Sequence, residues 1–304
     1  KCIADIDRFY VNGDNLQHLD IESNWSSERN LLNLDLAIVT NNKCTAHGIG
    51  GYDIKNSNFN IYFDIDSLSV GFLNHYLKSP IKHISGTTSG NLQLEGILPD
   101  INLNARLALN RSPFSVRQTM VDYVFIGGDS IILSPTDMEF RNLRFVDKYG
   151  NKGEFFGHIS HNMFTGLNLN LGFRTDDLLV LETTETVSPT YYGTIYADGL
   201  LSVAGRTSNI KLQIDATARP NTIFNILPMG KGDMRENSYI KFASSSEKAE
   251  DDIIDYESLA GGVTAQLNVK IEPTSQICVI VNPRTNNMIK ATGNGDLRLD
   301  INKT

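Results

Sequence analysis

Three observations predict an all-β protein built around one long, antiparallel-rich sheet. Apolar and polar residues alternate with period two through most of the chain, strand candidates follow one another at short spacing, and helical periodicity is scarce. The clearest stretch is "YYGTIYADGLLSVAGRTSNIKLQIDATA" (191–218). There Ile195, Leu201, Val203, Ile210, Leu212 and Ile214 share one side of a pleat, with Ser202, Lys211, Gln213 and Asp215 on the other. Strands of this kind are wetted on one face and dry on the other.

Early strands are expected at "LLNLDLAIV" (31–39), "FNIYFDID" (59–66), "GNLQLEG" (90–96) and "INLNARLAL" (101–109). Later ones fall at "DSIILSP" (129–135), "LNLNLGF" (167–173), "VTAQLNVKIEP" (263–273) and "GDLRLDIN" (295–302). Gly, Asn, Asp and Pro mark the turns between them, as in "KYGNKGE" (148–154). In "SVGFLNHYL" (69–77), Val70, Leu73 and Leu77 predict one short helix. Residues 230–262 lose the alternation and are rich in Ser, Glu, Asp and Lys, which predicts a mobile polar loop. A loose repeat relates "GTTSGNLQLEGILPDINLNARLAL" to "GTIYADGLLSVAGRTSNIKLQIDA", and "ATGNGDLRLDI" begins the same frame again. Repeated hairpins point to a sheet extended by units. Residues 1–304 are therefore expected to form one elongated sheet, a fragment of a larger protein.

Composition narrows the function. The 304 residues carry 27 basic and 35 acidic side chains, interspersed, for a net charge of -8. No basic patch is present, which excludes a nucleic-acid partner. No apolar run approaches the ~20 residues of a membrane-spanning helix, so any anchor is expected outside this stretch. Cys2, Cys44 and Cys278 are far apart and lack zinc spacing; Cys278 within "QICVIV" reads as a small buried hydrophobe.

The candidates for chemistry fail in turn. His158 and His161 are three apart, and in a strand they point to opposite faces, so no metal site is predicted. His18, His47, His75 and His83 stand isolated in the sequence. "GIGGYD" (48–53) and "GNGD" (293–296) open no helix after a strand, so they read as bulge or turn glycines rather than phosphate cradles. The acids Glu250, Asp251, Asp252, Asp255 and Glu257 lack the ligand alternation of a calcium loop. No catalytic residue and no cofactor is predicted.

The dry face is mostly aliphatic: Leu32, Leu34, Leu36 and Ile38, then Ile101, Leu103, Leu107 and Leu109, then Leu167, Leu169 and Leu171. Two arrangements satisfy it. In a β-sandwich two such faces bury each other. In a single sheet curled lengthwise (a β-taco), the face lines an open apolar trough. Each methylene exposed to water costs about 0.8 kcal/mol, so a continuous trough removes on the order of 10 kcal/mol for a travelling acyl chain. Pleat parity assigns Leu103, Leu107, Leu169, Ile195, Leu212, Ile214, Phe224, Leu267 and Val269 inward, and Asn104, Asn168, Gln213 and Asn268 outward. A bulge near Gly193 or Gly199 would invert part of that set.

"ISGTTSGNLQLEGILPDINLNARLAL" (84–109) resembles the repeating unit of the TamB family, the translocation and assembly module subunits of Gram-negative bacteria. "MEFRNLRFVDKYGNKGEFFGHISHNMF" (138–164) is similar to the stretch that follows in Bacteroidetes-type members, and 191–228 and 267–301 continue the likeness. Asn282 before Pro283, and the pair Asn286 and Asn287, depart from the turn residues common in the family. The resemblance implies a folded β-sheet with an apolar concave interior in a periplasmic protein anchored in the inner membrane. It implies phospholipid acyl chains as cargo, a role in outer-membrane biogenesis, and a barrel partner in the outer membrane, engaged through a region expected beyond Thr304. The rival from another class is a sandwich adhesin or carbohydrate-binding module, which would display exposed aromatics; the only tryptophan is Trp25.

Overall fold

The computed structural model describes residues 1–304 apart from 12, 29, 76–80, 98–99, 128–129, 163–164, 228–261, 283–286 and 304. Five strands open the chain: β1 (Cys2–Val11), β2 (Asp14–Ser26), β3 (Leu31–Thr40), β4 (Lys43–Asp53) and β5 (Asn58–Ser69). After a 3-10 turn (Gly71–His75) come β6 (Ile81–Ile84), β7 (Thr87–Ile97), β8 (Asp100–Asn110), β9 (Pro113–Val116), β10 (Val121–Phe125) and β11 (Ser130–Leu133). The middle holds β12 (Asp137–Asp147), β13 (Lys152–Asn162), β14 (Thr165–Thr183) and β15 (Tyr191–Arg206). The last strands are β16 (Asn209–Ala218), β17 (Ile223–Ile226), β18 (Gly262–Ile271), β19 (Gln276–Asn282), β20 (Asn287–Thr292) and β21 (Gly295–Lys303).

All belong to one 21-stranded sheet. Among the described residues it is open: β1 pairs only with β2, and at the other end β20 and β21 each pair with a single strand. The sheet is antiparallel except where β16 runs parallel to β18 and β17 parallel to β19. Parallel neighbours, unlike hairpin partners, are joined by a crossover rather than a tight turn. The loop expected at 230–262 lies outside the described residues except for Gly262, which begins β18. The helix expected at 69–77 is a single 3-10 turn, held by Asn74, whose side chain donates to Ile84 O and accepts from Ile84 N.

The curl comes from a crease that interrupts successive strands at neighbouring positions. Ser85 and Gly86 separate β6 from β7, and Arg111 and Ser112 separate β8 from β9. Bulges interrupt β12 between Phe140 and Leu143 and β14 between Thr175 and Leu178. Residues 219–222 part β16 from β17, and 272–275 part β18 from β19. Hydrogen bonds link these breaks: Val70 N to Gly86 O, Ser85 N to Pro113 O, Phe125 N to Ser112 O, Ile126 N to Arg144 O, Arg219 N to Tyr196 O and Gln276 N to Thr222 O. Left-handed backbone at Gly86, Asn142, Asp177 and Asn221 turns the chain there.

A broken ladder leaves backbone groups without strand partners, and hydroxyls replace them. The buried Ser112 donates to Thr87 O, Ser275 to Arg219 O, and Thr222 both donates to Tyr196 O and accepts from Tyr196 N. The apolar core fills the crease. Leu109, Phe114, Val121, Tyr123, Leu143, Phe145, Leu178 and Leu179 form its main cluster, and Leu16, Ile38, Ala46 and Ile65 a smaller one beneath β2–β5. Tyr123 and Asp147 lock the β14 bulge over the end of β12. Tyr123 Oη donates to Leu179 O at 2.8 Å, and Asp147 Oδ2 accepts from Leu179 N at 2.9 Å.

Candidate functional site

Residues paired across neighbouring strands point to the same face, so the register traces that face from strand to strand. One row starts at Ile6 in β1 and passes through Leu19, Ile38, Ala46, Ile65, Gly90 and Leu107. It continues through Ile131, Phe140, Gly157, Leu171, Val203 and Leu212 to Ala265 in β18. Every position is apolar or glycine, over an arc on the order of 65 Å at ~4.8 Å per strand.

The sequence-assigned residues fall on this face by register. Leu107 and Leu212 lie in the row itself, while Leu103 pairs with Leu94 beside it. Leu169 stands between Ile159 and Gly205. Ile214 lies between Leu201 and Leu267, and Val269 between Ala216 and Leu297. Ile195 pairs with Leu181, and Phe224 joins through Gly193. The bulges near Gly199 and Ile195 lie in β14, not in β15, so the alternation along β15 is kept. All nine side chains are half-buried rather than buried, unlike the crease residues Leu178 and Leu179.

Across β16, β18 and β21 the opposite face is polar, and its groups pair with one another. Asp215 Oδ1 accepts from Asn268 Nδ2 and its Oδ2 from Gln213 Nε2, both at 2.8 Å, while Arg298 Nε donates to Asn268 Oδ1 at 3.0 Å. The hydrogen bonds from Asn268 and Gln213, in that order, hold the Asp215 carboxyl below the usual carboxylate range. Asn168 and Gln213 are exposed, and Asn104 and Asn268 are half-buried.

Two sequence expectations are corrected. Gly48 and Gly50 are neither bulge nor turn; they lie inside β4 in regular register with Phe63 and Ile61. A side chain at Gly48 would strike the Phe63 ring, and one at Gly50 the backbone of Asn60, so these glycines admit close approach. His18 and His47 are not isolated. His18 Nε2 lies 3.1 Å from Asp5 and its Nδ1 3.0 Å from Asp7, while His47 Nε2 lies 2.8 Å from Asp35. Asp5, His18 and Asp20 bring ligand atoms within 4.8 Å of one another, yet both His18 nitrogens are already engaged by carboxylates. Other readings hold. Cys278 is buried, and on β13 His161 is buried while His158 is exposed.

Sequence reasoning missed the charged cluster on the crease. Arg219 Nε lies 3.3 Å from Asp198 Oδ2 and 3.7 Å from Asp177 Oδ1, and its Nη1 lies 3.3 Å from Glu272. One guanidinium thus joins β14, β15 and the breaks beside β16 and β18. The only hint was that Arg219 ends the alternation just before Pro220.

An open, creased sheet that keeps one apolar face from β1 to β18 defines a β-trough protein. Among the described residues no helix is long and apolar enough to cross a membrane. The family model for the TamB C-terminal domain matches residues 141–304, more than half of the chain. The chain belongs to the TamB family, a periplasm-spanning transport and assembly module that is anchored in the inner membrane and works with an outer-membrane partner. No curated protein and no solved structure matches it.

Proposed function

We propose that this chain is a non-enzymatic, periplasmic lipid-conduit segment that shelters phospholipid acyl chains between the two membranes and so supports outer-membrane biogenesis. The observation that carries the proposal is the row from Ile6 to Ala265, apolar or glycine at every strand it crosses. Half-burial of Leu212, Ile214, Leu267 and Val269 supports it further, because a sandwich would seal such positions. The nine parity-assigned residues would line the path, with the open mouth leaving headgroups in water. In this reading the chain works as one continuous unit, and the outer-membrane barrel partner is engaged by the whole protein.

Native mass spectrometry after expression in bacteria tests this directly. Co-purified phospholipid is the expected result. A lipid-free chain that binds glycans would instead establish the carbohydrate-binding alternative.

A further inference from the structure

We infer that a phospholipid lies across the β2–β8 wall with its chain ends at the crease and its glycerol and headgroup at the rim, received there by Trp25 and Tyr52. The inference rests on the conduit reading and adds an orientation and a polar contact site to it. Beside the crease, the wall row holds the buried Ile38, Ala46 and Ile65. Apolar residues continue outward along β3 through Leu36 and Leu34. The outermost row changes character: Trp25 pairs with Leu32, Leu32 with Tyr52, and Tyr52 with Phe59. Trp25 is 48% exposed, while Tyr52 and Phe59 are half-buried.

Length and chemistry agree on the occupant. From Leu32 to Ile38 the wall is six residues deep, about 20 Å at ~3.3 Å per residue. One leaflet is about 15 Å of hydrocarbon and roughly 20–22 Å with its headgroups. Chain ends at the Ile38 row therefore bring the ester and headgroup level to the Trp25 row. Indole and phenol rings combine an apolar body with a polar handle and favour that boundary.

Trp25 is the only tryptophan, so its emission reports this rim alone. The whole chain is loaded from vesicles of a phospholipid brominated either beside the ester or near the chain end. Vesicles are then sedimented away, and bound lipid is measured as phosphate. Bromine beside the ester is expected to quench Trp25 more than bromine near the chain end. In a Trp25→Phe/Leu36→Trp variant the order should reverse by about twofold, because that row lies ~13 Å deeper. Equal quenching by both lipids, or none in loaded protein, overturns the orientation while leaving the conduit standing. Failure to load any lipid overturns both. Quenching that vanishes once vesicles are removed means that the rim only docks on membranes. An emission shift with an oligosaccharide in lipid-free protein means a sugar platform, and either result overturns the inference.

Discussion

Replacing Leu212 by Arg separates a trough from a sealed core. Leu212 is half-buried between Val203 and Ala265, on the row that runs from β1 to β18. In a sealed core, an unpaired arginine would cost about 3–5 kcal/mol, a large part of the ~5–15 kcal/mol that holds a protein folded. On an open wall, the stem lies along Val203 and Ala265 while the guanidinium reaches water. The loss is then part of one leucine burial, about 1 kcal/mol, and the midpoint falls by only about 2–4 °C. Thermal unfolding followed by far-UV circular dichroism reads this, with Leu179→Arg, at a position 0% exposed, as the control that should not fold. Folded Leu212→Arg protein should retain less phospholipid. A photo-crosslinker at Leu212 should give lipid adducts in cells, and one at Gln213 should give none. The reasoning fails if Leu212→Arg collapses like Leu179→Arg, or if the two crosslinker sites label equally.

Burial, and secondarily the Asp147 charge, push the Tyr123 phenol well above the ordinary tyrosine range. The folded chain thus keeps a proton that the unfolded chain releases near pH ~10, so stability is full below that pH and falls above it. Tyr123→Phe should flatten this alkaline slope in urea unfolding, at a cost near pH 7 of about 1 kcal/mol for the lost bond to Leu179 O; an unchanged slope would refute the assignment. Arg219→Met should destabilise by no more than about 1 kcal/mol, since the side chain is 35% exposed and its ion pairs are screened. The deficit should shrink in high salt, and a deficit insensitive to salt would mean that packing, not charge, holds the crease.

Local pattern was enough for the strands and their faces. "LLNLDLAIV" became Leu31–Thr40, "INLNARLAL" became Asp100–Asn110, and the parity of Leu212 against Gln213 follows from alternation alone. Side-chain direction in a strand is set by the residue's own place in the pleat, so sequence by itself determined an all-β chain with one apolar face. It did not determine where that face bends. The crease depends on the Ser112, Thr222 and Ser275 hydroxyls meeting the breaks of strands distant in sequence, and a lone serine or threonine in a turn carries no sign of that role. Nor did it show that His18 would meet Asp5 and Asp7, or that Trp25, Tyr52 and Phe59 would share one rim. Cross-strand register is a relation between separate hairpins, fixed only when the crease core packs and the bulges in β12 and β14 take up the extra residues. Alternation made the face; only the assembled sheet decided that the face stays open and turns into a trough.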